Sequence, residues 1–168
     1  MDEIKKFWKK SSSTILDKDG LYSTARDPYL QEAVENIILK YLNKKADIID
    51  IGCGNGMSSI KFAKKAKFVH GVDYIDNFIF QSQKNSKKIK NISFSEADVT
   101  KLPSDLLNKF DVAITIRCLI NLPTWNLQKI AIKQISNCLK KGGLFFCSEG
   151  WGEGMKNLNL ERNKGGLQ

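Results

Sequence analysis

The residues best placed to do chemistry lie in the stretch 47–62, DIIDIGCGNGMSSIKF, where Gly52, Gly54 and Gly56 alternate directly behind a β-branched apolar run. Ordering glycine costs more backbone entropy than ordering any other residue, so three in five positions need a cause. At the carboxyl end of a strand, glycines let the chain turn sharply into a helix and let a ligand approach the main chain closely. A tight strand–helix turn without a ligand would use the same residues, so the loop alone leaves both readings open. Two acids add weight to one side. Asp73 follows Gly52 by 21 residues, a spacing from which a carboxylate accepts hydrogen bonds from ribose hydroxyls, although a loop acid or helix cap would also fit there. Asp98 closes another strand-like stretch, ISFSEADV, where a carboxylate can take a hydrogen bond from an adenine amino group. Three successive strands that each deliver such a group to one rim point to an adenosine-containing ligand. The loop reads GCGNGM, which departs from the dinucleotide fingerprint G-x-G-x-x-G, and no G-x-x-x-x-G-K-S/T phosphate loop is present.

The elements that must carry these residues alternate along the chain. Asp27-Pro28 reads as a helix start, with apolar residues from Leu30 to Leu42 at helical spacing. Strand-like runs follow at ADIIDI, FVHGVD, NISFSEAD, FDVAITI and LFFCSE. Helix-like segments lie between them at residues 57–66, 77–88 and 124–139, the last predicted to end on Lys141-Gly142-Gly143. Such alternation predicts an α/β protein, and right-handed crossovers reduce the topology to a doubly wound parallel sheet with helices on both faces. Three segments are expected: a lead-in over residues 1–26, with SSST at 11–14 as a polar break, a ligand-binding domain over 27–150, and a tail over 151–168.

Composition narrows the function further. The chain has 168 residues, 42% hydrophobic and 27% charged, which suits one globular domain. It has no apolar run of membrane-spanning length and no signal-like N-terminus, so a cytoplasmic protein is expected. The four cysteines form no C-x-x-C pair and the single histidine, His70, is distant from all of them in sequence, which argues for free thiols and against a zinc site. The net charge of +9 is carried almost wholly by lysine. Nucleic-acid readers favour arginine forks, so solvated helix faces are the preferred reading of this charge and a nucleic-acid partner is not favoured.

Taken together, these motifs resemble class I S-adenosylmethionine-dependent methyltransferases. DIIDIGCGNG resembles their first motif, VHGVDYID the second, SEADVTKLP the third, and FDVAITIRCLINLP and LKKGGLFFCSEG the fourth and fifth strand regions, so the likeness runs from about residue 30 to residue 150. It implies a Rossmann-like sheet of five parallel strands in the order 3-2-1-4-5, with S-adenosylmethionine as cofactor. It also implies residue roles. Asp50 and the loop of Gly52, Cys53, Gly54 and Gly56 would hold the methionine part. Asp73 would bind the ribose, with Tyr74 and Ile75 against the adenine. Asp98 would take the adenine amino group, flanked by Ala97 and Val99. Thr115, Ile116 and Arg117 would lie near the transferable methyl, and Arg26 could pair with the methionine carboxylate or stand as a solvated loop arginine.

The family's Asn/Asp-Pro-Pro-aromatic motif for amino groups of DNA bases is absent, since the chain reads Thr-Ile-Arg-Cys-Leu-Ile there. The helix entry Asn121-Leu122-Pro123 resembles the small-molecule branch, and EGWGEGMKNLNLERNKGGL resembles bacterial enzymes that methylate sugars. A hydroxyl acceptor on a sugar or related metabolite is therefore expected, with a cofactor-binding domain of little activity and an RNA methyltransferase as the alternatives. Glu149 is the candidate general base, with a helix cap or a solvated loop acid as its alternatives. The family's sixth and seventh strands are not recognisable, which predicts an exposed fifth-strand edge and either a truncated enzyme or one whose edge a second copy or second subunit covers.

Overall fold

The computed structural model describes residues 2–14 and 28–150, together with positions 154, 156, 157, 160 and 164 of the tail, which are helical and exposed. Isoleucines dominate the first strand, β1 (Asp47–Ile51), and Val69 and Val72 are buried in the second, β2 (Phe68–Asp73). The sheet is completed by β3 (Ile92–Glu96), β4 (Phe110–Ile116) and β5 (Leu139–Ser148), and its order is β3-β2-β1-β4-β5 with every pair parallel. This is the doubly wound, Rossmann-like arrangement that the sequence predicts.

The helices are α1 (Asp2–Thr14), α2 (Pro28–Leu39), α3 (Met57–Ala63), α4 (Asp76–Asn85) and α5 (Trp125–Cys138). Both faces of the sheet are covered, as its near-continuous apolar strands require. On one face Ile48, Val69, Val112 and Ile114 pack against Ile38 of α2 and Phe62 and Ala63 of α3. On the other, Ile49, Ile51, Val72 and Ala113 pack against Ala131, Ile135 and Cys138 of α5 and against Leu106 of a short 3-10 turn. Leu127 is half-buried beside this second core, and Thr124 caps α5 by accepting the Leu127 N–H.

Two stretches differ from the sequence expectation. Residues 2–14 form a helix through the SSST stretch, where Ser12 Oγ donates to the Lys9 carbonyl at 2.8 Å. β5 begins at Leu139, so Lys141, Gly142 and Gly143 lie inside the strand rather than capping α5. Its ladder to β4 slips between Phe110 and Val112, and Gly142 takes the left-handed φ of 80° that the irregularity needs. Lys140 is drawn to β4 by Asp111, which accepts from its Nζ at 2.9 and 3.0 Å. Among the described residues no strand pairs with the outer edge of β5, and Leu144 on it is exposed.

Candidate functional site

Parallel strands that end together bring their following loops to one rim, and the three sequence motifs meet there. At the end of β1, Gly52, Gly54 and Gly56 have φ of 75°, 53° and 81°, all in the left-handed region that side chains disfavour. Space excludes a side chain at two of them as well. A Cβ on Gly52 would lie 2.8 Å from Cys118 Sγ, and one on Gly56 would lie 2.7 Å from Ser82 Cβ and 2.8 Å from the Phe94 ring. The N–H groups of Gly52 and Cys53 donate to the Val72 carbonyl at 2.8 and 3.1 Å, tying the loop to β2.

Asp73, the last residue of β2, is buried, and its two oxygens reach both neighbours. Oδ2 accepts the Gly54 N–H and Oδ1 the Ile75 N–H, each at 3.0 Å. Burial pushes its carboxyl up to about 6, against the pull of these amides. Asp50 lies behind the loop at the end of β1, where Ser59 of α3 donates to its Oδ2 at 2.5 Å. Burial raises it to about 7; the Ser59 bond opposes the rise, and Glu35 and Asp73 add to it. Ala97 donates its N–H to the Asp73 carbonyl at 2.9 Å, which extends the alignment of β3 with β2 beyond the strand end. Asp98 is therefore on the same rim as Asp73. Its Oδ1 accepts the N–H and the hydroxyl of Thr100 at 2.8 and 2.7 Å, leaving Oδ2 without a partner among the described residues. Tyr74, Ala97 and Val99 are half-buried and Ile75 is buried, so the chain leaving β2 and β3 carries apolar side chains and one aromatic ring.

On the other side of β1, β4 ends in Thr115 and Ile116, and Arg117 follows. Thr115 is wholly buried, and among the described residues its Oγ1 has no hydrogen-bond partner of ordinary geometry, with the Cys147 thiol as its polar neighbour. Arg117 bends the chain with a φ of 53°, and its Nη2 donates to Gln31 Oε1 of α2 at 2.7 Å. The turn after it is held by Glu149, whose Oε1 accepts the N–H groups of Cys118 and Leu119 at 3.1 and 3.0 Å and whose Oε2 accepts that of Ile120 at 3.0 Å. The carboxylate expected as a general base thus sits as a cap on the 3-10 turn Leu119–Asn121, the alternative the sequence allowed. No histidine replaces it, because His70 lies back along β2 between the hydroxyls of Ser93 and Ser95. The cysteines are free thiols; burial raises the pKa of all four, so none is set up as a thiolate. No group of side chains among the described residues could hold a metal ion. Arg26 lies outside the described residues.

Helix α1 is the part of the site that sequence reasoning missed. Trp8 Nε1 donates to Asn121 Oδ1 at 3.3 Å and the Trp8 ring lies 6.5 Å from that of Phe78. Near its C-terminal end Asn77 and Gln81 of α4 both donate to the Ser12 carbonyl at 2.8 Å, and near its N-terminal end Lys5 stands 5.6 Å above the Tyr74 ring. The helix therefore touches the rim at the loop after β2, through Lys5, and at the turn after β4, through Trp8, before it meets α4. Its signal was the spacing of Ile4, Phe7, Trp8, Ser11 and Ser12, one helical face that the interleaved lysines obscured.

Residues 42–164 match the family described as a Methyltransferase domain. The chain belongs to that family. Across 68 residues this methyltransferase-domain chain is 35% identical to a protein of Methanocaldococcus jannaschii named "Probable cobalt-precorrin-6B C(15)-methyltransferase (decarboxylating)", covering 38% of this chain and 37% of that one. Across 120 residues it is 29% identical to an "Uncharacterized RNA methyltransferase" of Protochlamydia amoebophila, covering 70% of this chain and 26% of that one. The methyltransferase-domain chain thus spans less than half the length of either relative. Among solved structures, the N-methyltransferase NodS of Bradyrhizobium japonicum with S-adenosyl-L-homocysteine superposes with a TM-score of 0.70 at 19% identity, over 84% of this chain and 71% of that one, a likeness of fold.

Proposed function

We propose that this methyltransferase-domain chain binds S-adenosylmethionine along the rim and transfers its methyl group to a small molecule, a hydroxyl of a sugar or related metabolite. The observation that carries the reading is the joining of the glycine loop to Asp73 through Gly54, with Asp98 on the same edge. The donor set fits the cofactor part by part. Asp73 retains lone pairs for ribose hydroxyls beyond the two amides it serves, and Asp98 Oδ2 is available to an adenine amino group. Tyr74, Ile75, Ala97 and Val99 supply apolar walls for the base. Asp50 and the loop residues Gly52, Cys53, Gly54 and Gly56 would border the methionine part, with Thr115 and Arg117 beside the methyl.

When bound, the cofactor supplies a methyl made electrophilic by its sulfonium. The residues then have to hold an acceptor in line and keep water away. Helix α1 supports a small acceptor, because its contacts with Tyr74 and Asn121 set it over the loops after β2 and β4. The second reading, an RNA methyltransferase, draws on the similarity to the Protochlamydia protein and on the net charge of +9. The open edge of β5, beside an apolar groove of Val34, Ile37 and Phe146, supports a second copy or subunit seated there. Sedimentation that finds only monomers at high concentration would remove that part.

Isothermal titration with S-adenosylmethionine and S-adenosylhomocysteine tests the cofactor. Heat with both is expected, and none with either ends the proposal. Transfer of a labelled methyl to neutral sugars, acidic sugars and RNA then divides the two acceptor readings.

A further inference from the structure

We propose that Arg117, oriented by Gln31, is the receptor for an anionic group, a carboxylate or phosphate, of a ligand at the methyl-transfer end of the rim. This rests on the cofactor reading above and adds the chemistry of one ligand group to it. In the sheet β4 lies across β1 from β2 and β3, so Arg117 stands on the opposite side of the glycine loop from Asp73 and Asp98. That places it away from the ribose and adenine end.

The guanidinium is half-buried, and its one side-chain hydrogen bond among the described residues goes to a neutral amide. The ion pairs formed between described residues join Lys61, Lys67 and Lys140 to Glu35, Asp47 and Asp111, and none includes Arg117. Glu35 and Glu149 act on Arg117 only through space, while burial pulls its pKa down. A guanidinium carries five N–H donors in a planar fork matched to two oxygens of an anion. Partial burial without an anion is costly, and a ligand carboxylate or phosphate removes that cost.

The orientation of the fork is built, not incidental. Gln31 Nε2 donates to Glu35 Oε1 at 2.8 Å and to Ser58 Oγ at 2.9 Å. Glu35 is fully buried and its carboxylate also takes Ser58 Oγ and Lys61 Nζ. An ionised carboxylate only accepts, so it fixes which end of the Gln31 amide faces it and turns Oε1 to Arg117. Lys61 balances the charge of Glu35, which leaves the charge of Arg117 for a ligand.

The anion has two candidate sources, the α-carboxylate of the donor and an acidic group on the acceptor. Calorimetry on the full chain and on Arg117→Met separates them, using S-adenosylhomocysteine and 5′-methylthioadenosine, which lacks the amino-acid part. If the wild type binds neither, the cofactor reading has failed and this inference with it. If Arg117→Met loses roughly tenfold or more in affinity for S-adenosylhomocysteine but none for methylthioadenosine, the receptor takes the donor carboxylate. If both are unchanged, phosphate and benzoate are titrated into the protein saturated with S-adenosylhomocysteine. Binding to the wild type that weakens at least about fivefold in Arg117→Met, and not in the control Lys141→Met, assigns the receptor to an acidic acceptor. Unchanged affinity for all of these ligands, or no anion binding by the saturated wild type when donor affinity is also unchanged, overturns the inference. If Arg117→Met does not fold, Gln31→Leu keeps the charge and frees the fork, and a smaller loss on the same ligands is expected; no loss overturns the inference equally.

Discussion

Asp73 Oδ2 accepts the N–H of Gly54 at 3.0 Å, so the acid that ends the second strand also holds the loop that follows the first. Two features 19 residues apart in sequence are thereby one device. A carboxylate is suited to it because each oxygen can serve an amide and still accept from a ligand.

Replacing Asp73 by Asn leaves one side-chain oxygen for two main-chain donors. Affinity for S-adenosylhomocysteine is expected to fall by ~1–3 kcal/mol, the usual cost of an unpaired polar group, and calorimetry reads it directly. Unaltered affinity would mean that the ribose does not sit at Asp73.

Asp50 gives the ligand-free protein an unusual pH dependence. Its carboxyl titrates at about 7 in the fold and at 3.8 when unperturbed. Between these values the folded state holds a proton that the unfolded chain has released, so stability falls as the pH rises. The contribution is complete below the lower value and lost on passing through the upper one. Asp73, raised to about 6, acts in the same direction. The thermal midpoint should drop from about pH 5 to about pH 7, with at most ~1.4 kcal/mol lost per pH unit for each group. Asp50→Asn, which keeps an acceptor for Ser59, should flatten the profile.

Glu149→Gln should lower stability by ~1–3 kcal/mol, because a side-chain amide cannot accept all three N–H groups that the carboxylate holds. Urea unfolding measures this. A general base would behave differently, with full stability and a rate that loses its dependence on pH.

Gly56→Ala forces a side chain into a left-handed conformation and against Ser82 and Phe94. A loss of ~1–3 kcal/mol in stability is expected from the backbone strain, and the clash adds to it. Gly154→Ala, at an exposed helical position where a Cβ would meet nothing within 4 Å, serves as the control and should be neutral to slightly stabilising.

The rim was legible because its parts are local. An apolar β-branched run announces a buried strand, glycines announce the turn behind it, Asp73 closes β2, and Asp98 follows β3 by two residues. What stayed hidden is made of contacts between distant segments. Nothing near Glu149 in sequence reveals that its partners are the amides of residues 118–120, some 30 positions earlier. Gln31 and Arg117 are 86 residues apart and meet only because α2 packs beside the end of β4. Helix α1 was obscured by composition, since four lysines among its first ten residues hide a narrow apolar stripe. The start of β5 was misplaced because a Lys-Gly-Gly sequence is a common helix ending, whereas here Asp111 draws Lys140 into the ladder.

Helix α1 is fastened by polar bonds at its middle, Trp8 to Asn121, and near its C-terminal end, Ser12 to Asn77 and Gln81, with the Trp8 ring beside Phe78. Bonds of that kind exchange readily with water, so the strap can detach without disturbing the packed layers beneath it. The tempo at which spent nucleoside departs and fresh nucleoside arrives would then be set by these few tethers, leaving the rigid sheet a bystander to exchange.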